Sequence, residues 1–365
     1  MKSHSPDYIL LGATIILVIF GLVMLSSASM VKSQETFDQP YYYLLHQLLY
    51  GVLPAILVAF LAYKINYKHW KKYAFFIYLA VLIALILVFL PGLSFKSGGA
   101  TRWIAIGPAT FQPSEFAKLG FIIYLAAWLE KKSKNINSSD EGFLPFCLAT
   151  GLVVGLIVLQ PNLGTAGLIA LIASLMFFSA GARFWQIGFL GAIGAAAFLS
   201  FVKIFPHAAN RFQIFMHPEL DPKGIGYQIN QALLAIGSGG FLGRGLGQSI
   251  QKYNYLPEPI GDSIFAIIAE ELGFIGAAIL IALFLALAIR GYQIAKKAPD
   301  NLGKFLAIGI TSWLVLQAFI NIAAISGLMP LTGMPLPLVS YGGSALIVSL
   351  AGIGILLNIS RFTTK

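Results

Sequence analysis

Residues 263–289 read SIFAIIAEELGFIGAAILIALFLALAI. A transmembrane helix needs about 20 consecutive, predominantly apolar residues to cross the hydrocarbon core of a bilayer. This segment exceeds that length, and its only charged residues are Glu270 and Glu271. It therefore predicts a membrane-spanning helix, and it decides the class of fold that the rest of the chain must adopt.

The composition of the whole 365-residue chain agrees with that prediction. Hydrophobic residues make up 58% of the chain, charged residues make up 10%, and the mean hydropathy is +0.82. A soluble domain has about 25% charged residues. About ten apolar segments are long enough to span a bilayer, near residues 8–30, 43–63, 73–91, 113–130, 143–160, 162–180, 184–205, 263–289, 304–326 and 342–360. We predict an all-α polytopic membrane protein with about ten transmembrane helices, in one domain over residues 1–365.

Lysine and arginine residues predict the orientation, because cytoplasmic loops of membrane proteins are enriched in them. If the N-terminus is cytoplasmic, most of the 24 basic residues face the cytoplasm. We expect both termini in the cytoplasm, and we expect residues 8–30 to remain as a span. The net charge of +10 then reflects topology and contact with anionic membrane lipids, not nucleic-acid binding. Cys147 is the single cysteine, so no disulfide framework is expected.

The loops on the outer side are long, and the longest covers about residues 206–262. Long loops in compact proteins usually carry function. Within the stretch GYQINQALLAIGSGG (226–240) of this loop, the apolar spacing between Tyr227 and Ile236 predicts a short amphipathic helix at the membrane surface. A lid over a membrane cavity and a plain surface-packed loop are both compatible with this composition. A second outer loop, residues 92–112, is rich in glycine.

Asp262 stands where the long loop enters the apolar segment 263–289. One interpretation is a helix N-cap, whose position lowers the pKa of the carboxyl group. The other is a general base, which needs burial to raise its basicity. The residues alone leave both interpretations open. Glu258 lies between Pro257 and Pro259 in an extended stretch, so its distance from Asp262 does not follow from helical geometry.

Four further charged residues lie inside predicted spans. Glu115 and Lys118 are one helical turn apart, and they form either a structural ion pair or a site where Lys118 holds an anionic group. Glu270 lies nearer the Asp262 face of its helix than Glu271 does. We expect these two carboxylates to pair with a basic or polar residue of another span.

Three arginines of the outer loops could recognise phosphate, because the planar guanidinium group matches phosphate oxygens. They are Arg102, Arg211 and Arg244. Contact with lipid headgroups is the alternative for each. Gln317 and Asn321 are four residues apart in a predicted span and favour hydrogen bonding between helices.

A series of ordered motifs resembles the SEDS family of membrane proteins, which includes RodA, FtsW and SpoVE. The motifs are GATRWI, QPSEFAK, LQPNLGTA, NRF followed by DPKGIGYQINQ, AIGSGG, LGQS, YLPEP, AEELG and PLPLVSYGGSAL. They occur in the order typical of the family and extend over essentially the whole chain. The stretch GLGQSIQKYNYLPEP is more similar to the FtsW-like cell-division branch than to the elongation branch.

The resemblance implies a peptidoglycan glycosyltransferase that polymerises lipid II at the outer face of the bacterial cytoplasmic membrane, with undecaprenyl pyrophosphate as the leaving group. It implies a class B penicillin-binding protein, a transpeptidase, as partner, together with other divisome or elongasome membrane proteins. The essential aspartate of the family corresponds to Asp262, which would accept the proton of the acceptor 4-hydroxyl group. The alternatives are a lipid II transporter or flippase, and a non-catalytic scaffold for the transpeptidase.

The resemblance also implies a set of substrate-binding residues. The positively charged residues that would offset the pyrophosphate charge are Lys118 and Arg102, then Arg211 and Arg244. The other members, which lie in or beside matching motifs without an assigned role, are Glu115, Glu258 and Ser340.

No cofactor is assigned, and a divalent cation is the one ion considered. Asn162 stands where many relatives have aspartate, so a cation or proton held by that aspartate would lack its ligand here. The surroundings of Asp262 also differ from the usual family pattern, which has His-Thr or Gln-Thr before the aspartate and Phe after it. This chain has Ile260 and Gly261 before Asp262 and Ser263 after it, so the surroundings are smaller and more flexible.

Overall fold

The computed structural model describes residues 4–364 except 92–93, 98–99, 107–108, 134, 205, 218–219 and 222–223. Helices dominate the described chain. Their bounds are α1 (Tyr8–Phe37), α2 (Tyr42–His46), α3 (Leu53–Lys64), α4 (Lys68–Leu87), α5 (Pro113–Lys132), α6 (Leu144–Leu159), α7 (Leu163–Ser179), α8 (Phe184–Ile204), α9 (Pro206–Met216), α10 (Ile225–Gly239), α11 (Ile264–Lys296), α12 (Asn301–Ile325) and α13 (Gly343–Ser360). Two π-helical turns, Gln47–Val52 and Ser139–Phe143, join α2 to α3 and lead into α6.

The predicted polytopic helical fold is confirmed. Among the described residues, seven helical segments are long and apolar enough to cross a membrane: Tyr8–Phe37, Tyr42–Lys64, Lys68–Leu87, Ser139–Leu159, Ile264–Lys296, Asn301–Ile325 and Gly343–Ser360. Helix α7 and most of α8 are shorter apolar helices, and α5 occupies the remaining predicted span. The apolar stretches of α12 and α13 are 78% buried, against 22% for α4. Helices α12 and α13 therefore form the centre of the bundle, and α4 lies at its periphery.

The glycine-rich stretch 92–112, expected as a loop, contains a small antiparallel sheet. Its strands are β1 (Ser94–Ser97), β2 (Ala100–Ile106) and β3 (Ala109–Phe111), in the order β1-β2-β3. Ile104 of β2 pairs with Phe111 of β3. The prediction of a loop gave weight to the glycines, whereas the β-branched and aromatic residues of ATRWIAI favour a strand.

The long loop between α8 and α11 contains two helices of its own. Helix α10 covers the stretch predicted as a short amphipathic helix, so that helix is confirmed. Helix α9 includes Arg211.

Helix α11 is broken at Gly273, where the backbone has φ 66° and ψ −163°. The loop after α10 fills the break. The Arg244 amide donates to the Glu270 carbonyl at 3.0 Å, and the Phe274 amide donates to the Gly240 carbonyl at 2.9 Å. Backbone groups that a broken helix would leave unpaired are therefore satisfied by the loop.

Two glycines allow this close approach. A Cβ atom at Gly243, where φ is +82°, would lie 2.2 Å from the Glu271 carbonyl oxygen. A Cβ atom at Gly239 would lie 1.9 Å from the Ala269 carbonyl oxygen. The glycine density of this loop therefore serves close packing against α11.

The bundle has two distinct ends. At one end the termini meet, since the His4 amide donates to the Arg361 carbonyl at 2.9 Å and Arg290 pairs with Asp7. The other end, which we call the Asp262 end, contains the sheet, α9, α10 and the loop 327–342. The polar residues predicted to carry function gather toward this end.

Candidate active site

Asp262 lies just before α11, which begins at Ile264 with Ser263 as its N-cap residue. No side-chain capping bond occurs there among the described residues, so the N-cap interpretation of Asp262 is wrong. The carboxyl oxygen Oδ1 of Asp262 is shielded from solvent and has no hydrogen-bond partner in the described part of the chain. A shielded carboxyl oxygen without a partner is free to accept a proton or a ligand hydroxyl group.

The backbone on the N-terminal side of this carboxyl group is held firmly. Three consecutive carbonyl oxygens accept hydrogen bonds from the central helices and the loop 327–342. The bonds are Tyr341 N to Ile260 O (2.9 Å), Ser340 Oγ to Gly261 O (2.7 Å) and Asn321 Nδ2 to Asp262 O (2.8 Å). Ser340, which had no assigned role, thus positions the segment that carries Asp262.

The pKa of Asp262 is raised from 3.8 to about 6, mainly by burial and secondarily by the nearby charge of Glu258. A backbone hydrogen bond, the Arg211 guanidinium group and the Gln228 amide oppose the increase in pKa. Glu258 is therefore within electrostatic reach of Asp262, which the sequence did not settle. A carboxylate with a pKa near 6 is still ionised at neutral pH, and it is a stronger base than an ordinary aspartate.

Arg211 and Arg102 lie on the same side of the site. Arg211 Nη1 donates to the Leu331 carbonyl at 3.3 Å, and Arg102 Nε donates to the Gln160 carbonyl at 3.2 Å. Burial lowers the pKa of both guanidinium groups, and Arg211 lowers that of Arg102 further. Neither arginine forms a salt bridge with a described carboxylate. Two adjacent, partly buried cations that contact backbone carbonyls can accept an anionic ligand.

Lys118 and Glu115 form a buried ion pair in α5. Lys118 Nζ donates to Glu115 Oε1 at 2.8 Å, and the two residues are 1% and 3% exposed. The same ammonium group donates to Gln317 Oε1 at 2.7 Å and lies 5.3 Å from the Trp313 ring centroid. The structural ion pair is therefore present, and contact of either residue with substrate stays a prediction.

Gln317 and Asn321 connect this ion pair to the Asp262 segment. Gln317 Nε2 donates to the Pro335 carbonyl at 2.9 Å, and Asn321 Nδ2 donates to the Met334 carbonyl at 2.8 Å. The spacing of the pair predicts hydrogen bonding between helices, and Gln317 makes such a bond by accepting from Lys118 of α5. Their bonds to loop carbonyls do not follow from an i,i+4 spacing, because it does not identify the acceptor.

Glu270 and Glu271 belong to a separate buried cluster around the break in α11. Glu271 Oε1 lies 3.1 Å from Lys252 Nζ. Ser249 Oγ donates to Glu270 Oε2, and Arg244 Nε lies 3.8 Å from Glu270 Oε1. The expected pairing of both carboxylates with basic or polar groups is present, although the basic partners belong to the loop before α11. In this structure Arg244 contacts Glu270, so its predicted role with phosphate stays a prediction.

The described residues contain no group of three or more histidine, cysteine, aspartate or glutamate side chains that could hold a metal ion. Asn162 is the N-cap of α7, and its side chain accepts a hydrogen bond from the Thr165 amide at 3.3 Å.

The geometry brings together some of the predicted site residues and separates others. Asp262 lies with Glu258, Arg211 and Ser340, and Arg102 adjoins Arg211. The pair formed by Lys118 and Glu115 is linked to that group through α12, and Arg244 lies in the cluster at the break of α11. The site thus defines a polytopic membrane protein with a positioned, partly buried carboxylate and neighbouring arginines at one end of its bundle.

Comparison with known proteins identifies the family. The family model FTSW_RODA_SPOVE, described as "Cell cycle protein", matches residues 8–365. The chain belongs to this FtsW/RodA/SpoVE family. It is 42% identical to the stage V sporulation protein E of Bacillus subtilis over 365 residues, with 99% of each chain covered. It is 41% identical to the "Probable peptidoglycan glycosyltransferase FtsW" of Trichlorobacter lovleyi over 357 residues, with 97% of this chain and 93% of the relative covered.

Solved structures agree with this assignment. One chain of a peptidoglycan synthase complex, described for its coordination of polymerisation and crosslinking, has a TM-score of 0.80 and 29% identity, with 98% of each chain covered. The rod shape determining protein RodA of Thermus thermophilus has a TM-score of 0.72 and 28% identity, with 99% of this chain and 98% of RodA covered. The similarity extends over the whole bundle.

Proposed function

We propose that this protein is a peptidoglycan glycosyltransferase that polymerises lipid II. Relatives that carry this activity in their names are about 40% identical over nearly the full chain. The observation that supports the proposal most is the chemistry of Asp262, a partly buried carboxylate with a raised pKa that is held through its backbone. It lies near Arg211, which in turn adjoins Arg102.

Asp262 is the proposed general base. It takes the proton from the 4-hydroxyl group of the acceptor sugar as that oxygen attacks the anomeric carbon of the donor. The new glycosidic C–O bond forms, and the bond between the anomeric carbon and the pyrophosphate oxygen breaks. Undecaprenyl pyrophosphate leaves with the bonding electrons, and the proton stays on the Asp262 carboxyl group until solvent removes it.

Arg211 and Arg102 are the proposed partners of the pyrophosphate. Charge accumulates on the leaving group as the bond to the anomeric carbon breaks, and fixed cations stabilise that charge in a water-poor site. Both guanidinium groups contact backbone carbonyls and no described carboxylate. A pyrophosphate would give both arginines a counter-ion in direct contact, whereas Arg211 is attracted to the Asp262 charge without a salt bridge.

Lys118 and Arg244 are second candidates for the pyrophosphate. Each contacts a glutamate in this structure, Glu115 for Lys118 and Glu270 for Arg244. We assign Glu258 to tuning the charge at Asp262 and Ser340 to positioning it.

We propose that the Asp262 end faces outward, that both termini are cytoplasmic, and that residues 1–365 form one domain. Basic residues near the termini, such as Arg290, Lys296 and Lys297, agree with this orientation.

A class B penicillin-binding protein is the proposed partner, since the similar structure in a peptidoglycan synthase complex couples polymerisation to crosslinking. The cell-division branch is the proposed assignment, because several of the similar relatives are named FtsW.

The function is tested with purified protein in liposomes that contain lipid II, with and without the transpeptidase. Polymer that lengthens with time supports the glycosyltransferase. Movement of lipid II between leaflets without polymer would instead identify a flippase. A protein that binds the transpeptidase but does neither would be a scaffold.

A further inference from the structure

A row of aromatic rings lies at the Asp262 end, where α1 leads into α2. Phe37 stacks on Tyr42 with ring centroids 3.6 Å apart, and Tyr42 stacks on His46 at 6.0 Å. The His46 ring lies 4.8 Å from the Tyr50 ring. Phe37, Tyr42, His46 and Tyr50 together are called the aromatic row. Its two outer members are open to the surroundings, since Tyr50 is 65% exposed and Phe37 is 39% exposed.

The aromatic row adjoins the proposed active site. His46 Nδ1 and the Tyr341 hydroxyl group are 2.9 Å apart. The Tyr341 amide donates to the carbonyl of Ile260, two residues before Asp262. Tyr43 meets Tyr341 edge to face at 5.2 Å and lies within electrostatic reach of Glu258. The row is therefore fixed to the segment that positions the general base.

The chain segment that carries Tyr50 forms a π-helical turn. The π-helical turn Gln47–Val52 includes Tyr50 and follows His46 directly. Gln47 is buried and accepts a hydrogen bond from the Gly342 amide at 3.1 Å, which fixes the turn to the loop after Tyr341. Such π-helical turns occur frequently at functional sites. Because the turn is anchored, the rings keep a defined position relative to Asp262.

The aromatic row has hydroxyl groups that are available for hydrogen bonding to a ligand. The hydroxyl groups of Tyr42 and Tyr50 form no hydrogen bond with any described residue. A tyrosine presents an apolar face and a polar edge in one rigid group. A sugar ring also has an apolar face and a polar edge, because its axial C–H groups form the face and its hydroxyl groups lie at the edge.

We propose that the aromatic row is a subsite for the sugar rings of the glycan. This inference rests on the proposed function and extends it to the carbohydrate beyond the reacting units. Pyranose rings would stack on the outer members, Phe37 and Tyr50, because both faces of Tyr42 are already covered by Phe37 and His46. The phenol groups of Tyr42 and Tyr50 would hydrogen-bond to sugar hydroxyl or acetamido groups. The alternative is an interfacial aromatic belt, in which tyrosines anchor the helix among lipid headgroups. Belt residues need no fixed link to an active-site loop. The aromatic row is linked to that loop through His46, and the turn that carries Tyr50 is linked to it through Gln47.

The subsite is tested by binding of a lipid-free tetrasaccharide of alternating N-acetylglucosamine and N-acetylmuramic acid, measured by saturation-transfer NMR on full-length protein in nanodiscs. Replacing the two outer members, Phe37 and Tyr50, together by leucine keeps the apolar surface and removes the two open rings. Each ring should contribute about two- to tenfold in affinity, so the double variant should bind at least about fourfold more weakly. Phe89→Leu is the matched control, because Phe89 is 42% exposed directly after α4 and outside the row.

The length of the polymer gives a second measurement. If the row holds the growing strand, the double variant should make shorter strands from lipid II, and Phe89→Leu should make strands of unchanged length. If the double variant and Phe89→Leu bind the tetrasaccharide equally well, the row is a membrane belt and the proposal fails. Binding that depends on the row in a protein without polymerase activity would keep the subsite and refute the proposed function.

Discussion

Replacing Lys252 by methionine is predicted to destabilise the fold strongly. Lys252 Nζ lies 3.1 Å from Glu271 Oε1, and the two side chains are 2% and 0% exposed. Ser27 of α1 donates to both carboxylate oxygens of Glu271, at 2.6 and 2.8 Å. Lys252 precedes Asp262 in the chain and Glu271 follows it. The ion pair therefore closes the segment that contains the proposed base.

The magnitude follows from the charge that the substitution leaves behind. Lys252→Met keeps the Glu271 carboxylate buried without its counter-charge, and an uncompensated buried charge of this kind costs about 3–5 kcal/mol. Adding Glu271→Gln removes that charge as well. The loss in the double variant should therefore be smaller than the sum of the two single losses, by about 0.5–3 kcal/mol.

The exposed ion pair of Lys132 and Glu141 is a matched control. Its N–O distance is also 3.1 Å, but the side chains are 33% and 54% exposed. Lys132→Met should cost less than about 1 kcal/mol. The assay is reversible unfolding of the purified protein in mixed micelles. Equal losses of unfolding free energy for Lys252→Met and Lys132→Met would contradict the stabilising role of the buried ion pair. Strictly additive losses for Lys252→Met and Glu271→Gln would contradict it as well.

Four further outcomes concern the site. Initial polymerisation rates should rise about tenfold per pH unit below pH 6 and level off above it, because the base must be ionised and its pKa is about 6; a profile that is flat through this range would contradict the assignment. The raised pKa means that the folded protein binds the proton more tightly than the unfolded chain, so wild-type stability falls as the pH rises from 3.8 to about 6. Asp262→Asn should therefore be more stable than wild type above pH 6, by about 1–3 kcal/mol, and lose that advantage at lower pH, as thermal unfolding across pH would report. Asn321→Ala and Ser340→Ala should lower kcat by about tenfold or more with little change in KM, since a small displacement of the base is costly; unchanged kcat would remove their positioning role. Arg211→Ala and Arg102→Ala should lower kcat/KM by about tenfold or more in lipid II kinetics, whereas Arg→Lys at either position should recover part of the loss.

The helical bundle could be predicted because its main signal is local. Apolar runs of spanning length and the basic loops between them are visible in any window of the sequence, and so is the amphipathic spacing of α10. The sheet at residues 94–111 was missed because glycines next to ATRWIAI outweighed its strand-forming residues.

The break in α11 could not be predicted from Gly273 alone. Glycine occurs widely in transmembrane helices without breaking them. The break depends on the loop at 240–245, whose amides replace the lost helical bonds. That arrangement requires close approach of two backbones distant in sequence, which the glycine-rich composition permits but does not specify.

The candidate site was predicted in part. The family motifs identified Asp262. The interpretation of Asp262 as a helix cap could be rejected only from the structure, in which the helix begins at Ile264. Ser340 and Asn321 lie far from Asp262 in the chain, and their role depends on which carbonyl oxygen they reach. The aromatic row has a local sequence signal in the tyrosines at 41–43 and 50, but its meaning depends on contact with Tyr341.

The most direct test of the central claim is polymer formation from lipid II by purified Asp262→Asn protein with its transpeptidase. Asp140→Asn is the control, since Asp140 is an exposed carboxylate before α6, away from the site. The proposed mechanism predicts no polymer above background for Asp262→Asn, with the protein folded and bound to its partner, and wild-type polymer for Asp140→Asn. Polymer formed by Asp262→Asn at the wild-type rate would contradict the assignment of Asp262 as the catalytic base.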